Sequence, residues 1–177
     1  MVNLLKHYQA GHFSDAEKMA LSITEEYPDH QFGWKVLGAV LKQTGRVSES
    51  LAFIKKAVIL DPNDTQAHYN LGNALLDLGK LEEAELSYNQ AISLKLDFVE
   101  AHYNLGNTLR ILGRLEEAEA SYRKAIALKP DYAEAYYNFG ITLHNLGRPG
   151  EAEASYRKAI ALKPDYAETY YNFGITL

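Results

Sequence analysis

The run AEASYRKAIALKPDYAE occupies Ala118 to Glu134 and returns unchanged at Ala152 to Glu168. The octet YYNFGITL follows each copy, at Tyr136–Leu143 and again at Tyr170–Leu177. Outward from these copies the match loosens but the step of 34 residues holds: Gly38, Gly72, Gly106, Gly140 and Gly174 form one series. Gly11, Gly45, Gly79, Gly113 and Gly147 form a second. A fixed period of this size marks stacked supersecondary units, because one such unit cannot bury its own apolar face and needs neighbours. The chain reads as an array, and arrays serve as binding surfaces.

The unit from Thr65 to Phe98 shows what is stacked. In TQAHYNLGNALLDLG, residues His68, Leu71, Gly72, Leu75 and Leu78 recur at helical steps of three and four, which makes one packed stripe. Gly79 follows the last periodic residue, where glycine forms a left-handed cap at least cost. LEEAELSYNQAISL repeats the pattern through Leu81, Ala84, Tyr88, Ala91 and Leu94. Two antiparallel helices joined by a short glycine turn fit this unit. Pro28, Pro62, Pro130 and Pro164 end the second helix of their units, since proline lacks an N–H and clashes with the preceding turn. Leu96 stands in that place in the third unit, which predicts a softer boundary there.

Mid-helix glycine costs about 1 kcal/mol relative to alanine, so the Gly72 series needs a packing reason. Ala84, Ala118 and Ala152 recur in the facing helix, with Ala16 and Ser50 as earlier equivalents. This pattern predicts close approach of the two backbones between small residues, with Tyr88-type side chains filling the gap between units.

Composition narrows the function. Apolar content of 47% and charged content of 23% are those of a folded chain. A formal net charge of −5 argues against a nucleic-acid partner. Paired cations such as Arg123-Lys124 recur with the period beside acidic residues and read as a solvated helix face. The absence of cysteine excludes disulfides, thiol catalysis and cysteine-ligated zinc, and leans toward a cytoplasmic setting. No segment approaches the roughly 20 apolar residues needed to span a bilayer, so no membrane partner is expected.

Trp34-Lys35-Val36-Leu37-Gly38, the turn at Gly45, Ala57 and Pro62 together resemble the tetratricopeptide repeat, and the resemblance runs along essentially the whole chain. Ser50, Ile23 and Leu96 are local departures from its pattern. The resemblance implies an all-α, right-handed α-α superhelix of five helix pairs plus one extra helix. The units fall at approximately 1–30, 31–64, 65–98, 99–132 and 133–166, with a first helix at 167–177. It also implies that first helices line a concave groove. The runs YNLGN and LEEAE are most similar to repeats of O-linked N-acetylglucosamine transferases and bacterial relatives, although no residue here supplies the catalytic half.

On that geometry the groove would collect Tyr69, Asn70, Asn73 and Asp77, then Tyr103, Asn104, Asn107 and Ile111. Tyr137, Asn138, Ile141, His144 and Asn145 follow, and then Tyr171, Asn172 and Ile175. Asn70, Asn104, Asn138 and Asn172 would form a ladder flanked by tyrosines. Asparagine offers one carbonyl acceptor and two N–H donors, matching the alternating groups of a peptide backbone. Tyrosine adds contact area with few torsions to freeze. An extended protein segment or peptide is the partner this predicts. The competing reading is a solvated polar surface copied by duplication. The family's carboxylate clamp is matched only at Lys35 and Asn70, while Ala39, Glu100 and Asn104 depart from it.

Chemistry is not predicted. His68 and His102 replace the aromatics Trp34 and Tyr136 and read as packing residues, while His7 and His12 flank a turn glycine. Glu116-Glu117 complements a helix dipole. No phosphate loop or nucleophile elbow occurs. The expectation is a non-enzymatic interaction scaffold without cofactor or metal. The alternatives are the targeting repeats of a glycosyl- or sulfo-transferase whose catalytic part lies beyond Leu177, or a self-assembly module. Tyr170, Phe173 and Leu177 would lack a covering second helix, which predicts a fragment of a longer protein and homodimers through that end.

Overall fold

The computed structural model describes residues 2–165 and Gly174. Its ten helices within 2–165 are α1 (Val2–Gln9), α2 (Phe13–Glu26), α3 (Gln31–Gln43), α4 (Val47–Leu60) and α5 (Thr65–Asp77). They continue with α6 (Leu81–Leu94), α7 (Val99–Ile111), α8 (Leu115–Leu128), α9 (Ala133–Asn145) and α10 (Pro149–Leu162). No strand occurs among the described residues. The chain forms two compact bodies, Met1–Leu94 and Lys95–Leu177. Within the first, α3 packs along α4 and α5 along α6; within the second, α7 packs along α8 and α9 along α10.

Each pair is closed by the same turn. The second glycine series has φ between 69° and 81°, the left-handed region that side-chain-bearing residues avoid. At Gly45 the N–H reaches the Lys42 carbonyl at 3.0 Å, and the next N–H, of Arg46, reaches Leu41 at 2.8 Å. This double closure satisfies carbonyls that the helix end leaves without partners. It recurs at Gly79, Gly113 and Gly147. The predicted cap is borne out.

The other glycine series has a different partner from the expected one. A Cβ at Gly72, Gly106 or Gly140 would lie 2.6, 2.8 or 2.5 Å from Cε1 of Tyr88, Tyr122 or Tyr156. The close approach is therefore between glycine and a tyrosine ring of the same pair, not between glycine and the facing alanine. A flat ring needs a smooth helix surface beneath it, and only glycine provides one at this distance. Tyr88 and Tyr122 are fully buried, and their hydroxyls donate to Asn73 Oδ1 at 2.8 Å and Asn107 Oδ1 at 2.7 Å. In α3 the equivalent Gly38 faces the aliphatic Ile54.

The missing proline at Leu96 does not move the helix end. Helix α6 ends at Leu94, in register with Leu60, Leu128 and Leu162, although no proline follows it. What recurs at the junctions after α2, α4 and α6 is a contact from the next helix. Trp34 Nε1 donates to the Pro28 carbonyl at 2.9 Å. His68 Nε2 meets the Pro62 carbonyl at 2.9 Å, and His102 Nε2 meets that of Leu96 at 3.0 Å. Each reaches back six residues to a carbonyl that the ended helix cannot satisfy. The two histidines are buried as expected for packing residues, but they also close the loop.

Candidate functional site

In the first body, α3 and α5 present a face dominated by internal ion pairs. Asp64 caps α5, its Oδ1 accepting the Ala67 N–H at 3.0 Å. Its Oδ2 accepts from Gln31 Nε2 at 2.9 Å and from Lys35 Nζ. Burial pushes the Asp64 carboxyl up, yet the bonds from Lys35, Ala67 and Gln31 outweigh it and hold the group below its ordinary value. Further along, Lys42 Nζ pairs with Asp77 Oδ2 at 3.0 Å. Lys35, one of the two clamp matches, is thus committed to Asp64.

The predicted groove residues of this body divide by role. Tyr69 is half-buried with its ring 6.0 Å from that of Tyr88. Asn70 is half-buried and accepts from Gln66 Nε2 at 3.0 Å. Asn73 accepts the Tyr88 hydroxyl, and Asp77 holds Lys42.

In the second body α7 and α9 present amides and rings. Tyr103 lies 4.8 Å from Tyr132, centroid to centroid. Asn138 on α9 donates through Nδ2 to the Tyr103 hydroxyl at 2.8 Å, which joins the two first helices directly. Asn104 and Ile141 are half-buried, while Ile111, His144 and Asn145 are exposed. Tyr137 lies against Tyr156, centroids 6.3 Å apart. Burial, then the nearby Tyr137 phenol, pushes the Tyr156 hydroxyl up to about 12. Asn107 accepts the Tyr122 hydroxyl and so serves its own pair. The structure thus brings Tyr103, Asn104, Tyr137 and Asn138 onto neighbouring helices and assigns Asn73 and Asn107 internal duties. Tyr171, Asn172 and Ile175 lie outside the described residues, as do the Tyr170, Phe173 and Leu177 of the proposed dimer end.

Sequence reading missed the junction between Lys35 and Asp64, and it missed Arg110. A signal for the first was present. At one repeat position the chain reads Lys35, Tyr69, Tyr103 and Tyr137; at another it reads Asp64, Phe98 and Tyr132. The two positions change together from charged to aromatic. No cluster of three or more metal-ligating side chains occurs among the described residues, and none of their helices is long and apolar enough to cross a membrane.

Family models described as TPR or tetratricopeptide repeats match residues 5–65, 53–85, 72–109, 106–147 and 133–166. No curated protein sequence matches the chain. Among solved structures, that of MamA is 26% identical, with a TM-score of 0.85, covering 92% of this chain and 95% of its own. YrrB, described as a TPR protein with an unusual peptide-binding site, is 25% identical with a TM-score of 0.77, covering 89% of this chain and 81% of its own. TTC0263, a thermophilic TPR protein of Thermus thermophilus, shares the fold at 22% identity and a TM-score of 0.72, covering 99% of this chain and 96% of its own. Helix pairs closed by left-handed glycines, a 34-residue period, and repeat matches from residue 5 to residue 166 place this chain in the tetratricopeptide repeat family.

Proposed function

We propose that the chain is an interaction scaffold that holds an extended segment of a partner protein against α7 and α9, acting by binding rather than by chemistry. The hydrogen bond from Asn138 to Tyr103 carries this reading. It fixes an amide and a phenol on adjacent first helices, so both are oriented before a ligand arrives, which lowers the ordering cost of binding. It uses one donor of Asn138; an amide has a second donor and a carbonyl acceptor with which to meet a peptide backbone. YrrB, similar in sequence and fold, is described as having a peptide-binding site, which supports the assignment by likeness.

The test uses dodecapeptides enriched from a random library by the wild-type chain. Replacing Asn104 and Asn138 together by alanine weakens their binding by about tenfold or more, since each lost bond to a buried polar group costs on the order of 1 kcal/mol. The helical circular dichroism stays unchanged. Equal affinity in the double variant defeats the proposal. If no peptide is enriched and the chain instead self-associates, the assembly-module reading replaces it.

A further inference from the structure

The peptide-holding face says nothing yet about the partner's side chains, but one cation on α7 does. Arg110 lies one turn beyond Asn107 on the same side of the helix, half-buried. Its Nε is enclosed by protein and meets no hydrogen-bond partner. The guanidinium stands beside the Tyr122 hydroxyl, which itself donates to Asn107 Oδ1 at 2.7 Å. That phenol stays neutral, because burial drives its ionisation upward more strongly than the Arg110 charge opposes it. The hydroxyl beside the guanidinium therefore carries no negative charge.

The repeat supplies an internal control. Lys42 occupies the position of Arg110 two periods earlier, and it pairs with Asp77 at 3.0 Å. Asp77 lies 35 residues after Lys42; the residue 35 after Arg110 is Asn145, an exposed amide where the first body has a carboxylate. The acidic groups Glu117, Glu119, Glu134, Glu151 and Glu153 are each paired with other cations. Among the described residues no carboxylate answers Arg110.

A partly desolvated guanidinium without a counter-ion is costly, and its planar fork matches a carboxylate through two parallel bonds. We propose that Arg110, with Asn107 one turn before it on α7 and the amide Asn145 at the repeat position of Asp77, receives an acidic side chain of the bound segment, so that the face selects Asp or Glu at one point along an extended peptide. This rests on the peptide-holding reading of α7 and α9.

The experiment is selection from a random dodecapeptide library displayed internally on phage, so that no free carboxyl terminus competes. Recovered sequences carry Asp or Glu at one shared position. In synthetic copies, Glu→Gln at that position weakens binding to the wild-type chain about tenfold, the size of one charge-assisted contact. The same change weakens binding to Arg110→Gln less than twofold. Asn145→Asp, which hands Arg110 an internal carboxylate as Asp77 does for Lys42, reduces the discrimination likewise and keeps the test open if Arg110→Gln does not fold. Peptides enriched without acidic preference, or discrimination that survives both substitutions, overturn the inference while leaving the peptide-holding face intact. Failure to enrich any peptide removes both.

Discussion

The two bodies of this chain place the same backbone parts in the same register and fill them with opposite chemistry. In the first, Lys35 meets Asp64 and Lys42 meets Asp77, so cations on one first helix are neutralised from within. In the second, Tyr103 meets Tyr132 and Asn138, and Arg110 has the amide Asn145 at the repeat position where Asp77 serves Lys42. The glycine contact varies within the first body itself, against aliphatic Ile54 at Gly38 and against the buried Tyr88 ring at Gly72, and the second body repeats the tyrosine form at Gly106. Helix pairing tolerates either filling because it depends on where the small residues and turn glycines fall. The exposed face does not tolerate both equally: internal ion pairs occupy the groups that a ligand would use, whereas amides and rings keep bonding capacity.

The largest effect expected from breaking this contrast is at Gly106. Gly106→Leu drives a side chain into the fully buried Tyr122 ring, and overpacking of this kind costs about 3 kcal/mol or somewhat more. Urea unfolding followed by circular dichroism should show the second body melting first. Unchanged unfolding would mean that the ring can move away and that the contact is not specific.

Tyr122→Phe keeps the ring but removes the hydroxyl bonded to Asn107, with an expected loss of about 1 kcal/mol in the same assay. An aliphatic partner such as Ile54 has no such bond to lose. A neutral result would show that the aliphatic contact at Gly38 and the tyrosine contact at Gly106 are energetically alike after all.

The smallest effect belongs to the ionic junction. Asp64→Asn keeps a capping side chain but loses the charge facing Lys35, and it should cost about 0.5–1 kcal/mol near neutral pH. Because the folded Asp64 carboxyl titrates below its ordinary value, its contribution is present above that ordinary value. It is lost as pH falls through the depressed one, in the region below about pH 4. Amide exchange of α5 should therefore accelerate on acidification or in high salt, and the Asp64→Asn variant should lose that dependence. Protection that is the same in both proteins at every pH would show that the junction is held without the charge.

Much of the fold was legible in the residues. Identical runs 34 residues apart, glycines at helix ends and alanines at helical spacing led to helix pairs with left-handed turns, and the geometry agrees. The failures are informative. Pro62-type residues looked like the agents that stop the second helix, yet α6 stops in register without one. At the junctions after α2, α4 and α6 the ring of the next first helix bonds back to the loop carbonyl, and such a tertiary bond across a turn has no signature in helical periodicity. The glycine was correctly flagged as a packing residue but given the wrong neighbour, because spacing reveals which face a residue occupies and not what opposes it. Of the candidate site, Asn138 bonds to Tyr103 between α9 and α7, while Asn73 and Asn107 turn out to hold buried hydroxyls.

By itself the sequence determined the repeat length, the helical class, the turns and the absence of thiol chemistry, since each follows from local spacing or from residue identity. The tertiary structure alone decided which polar groups are already taken. Whether an asparagine faces a ligand or a tyrosine hydroxyl, and whether a cation has its carboxylate, depends on residues 15 to 35 positions away, at distances that local periodicity does not encode.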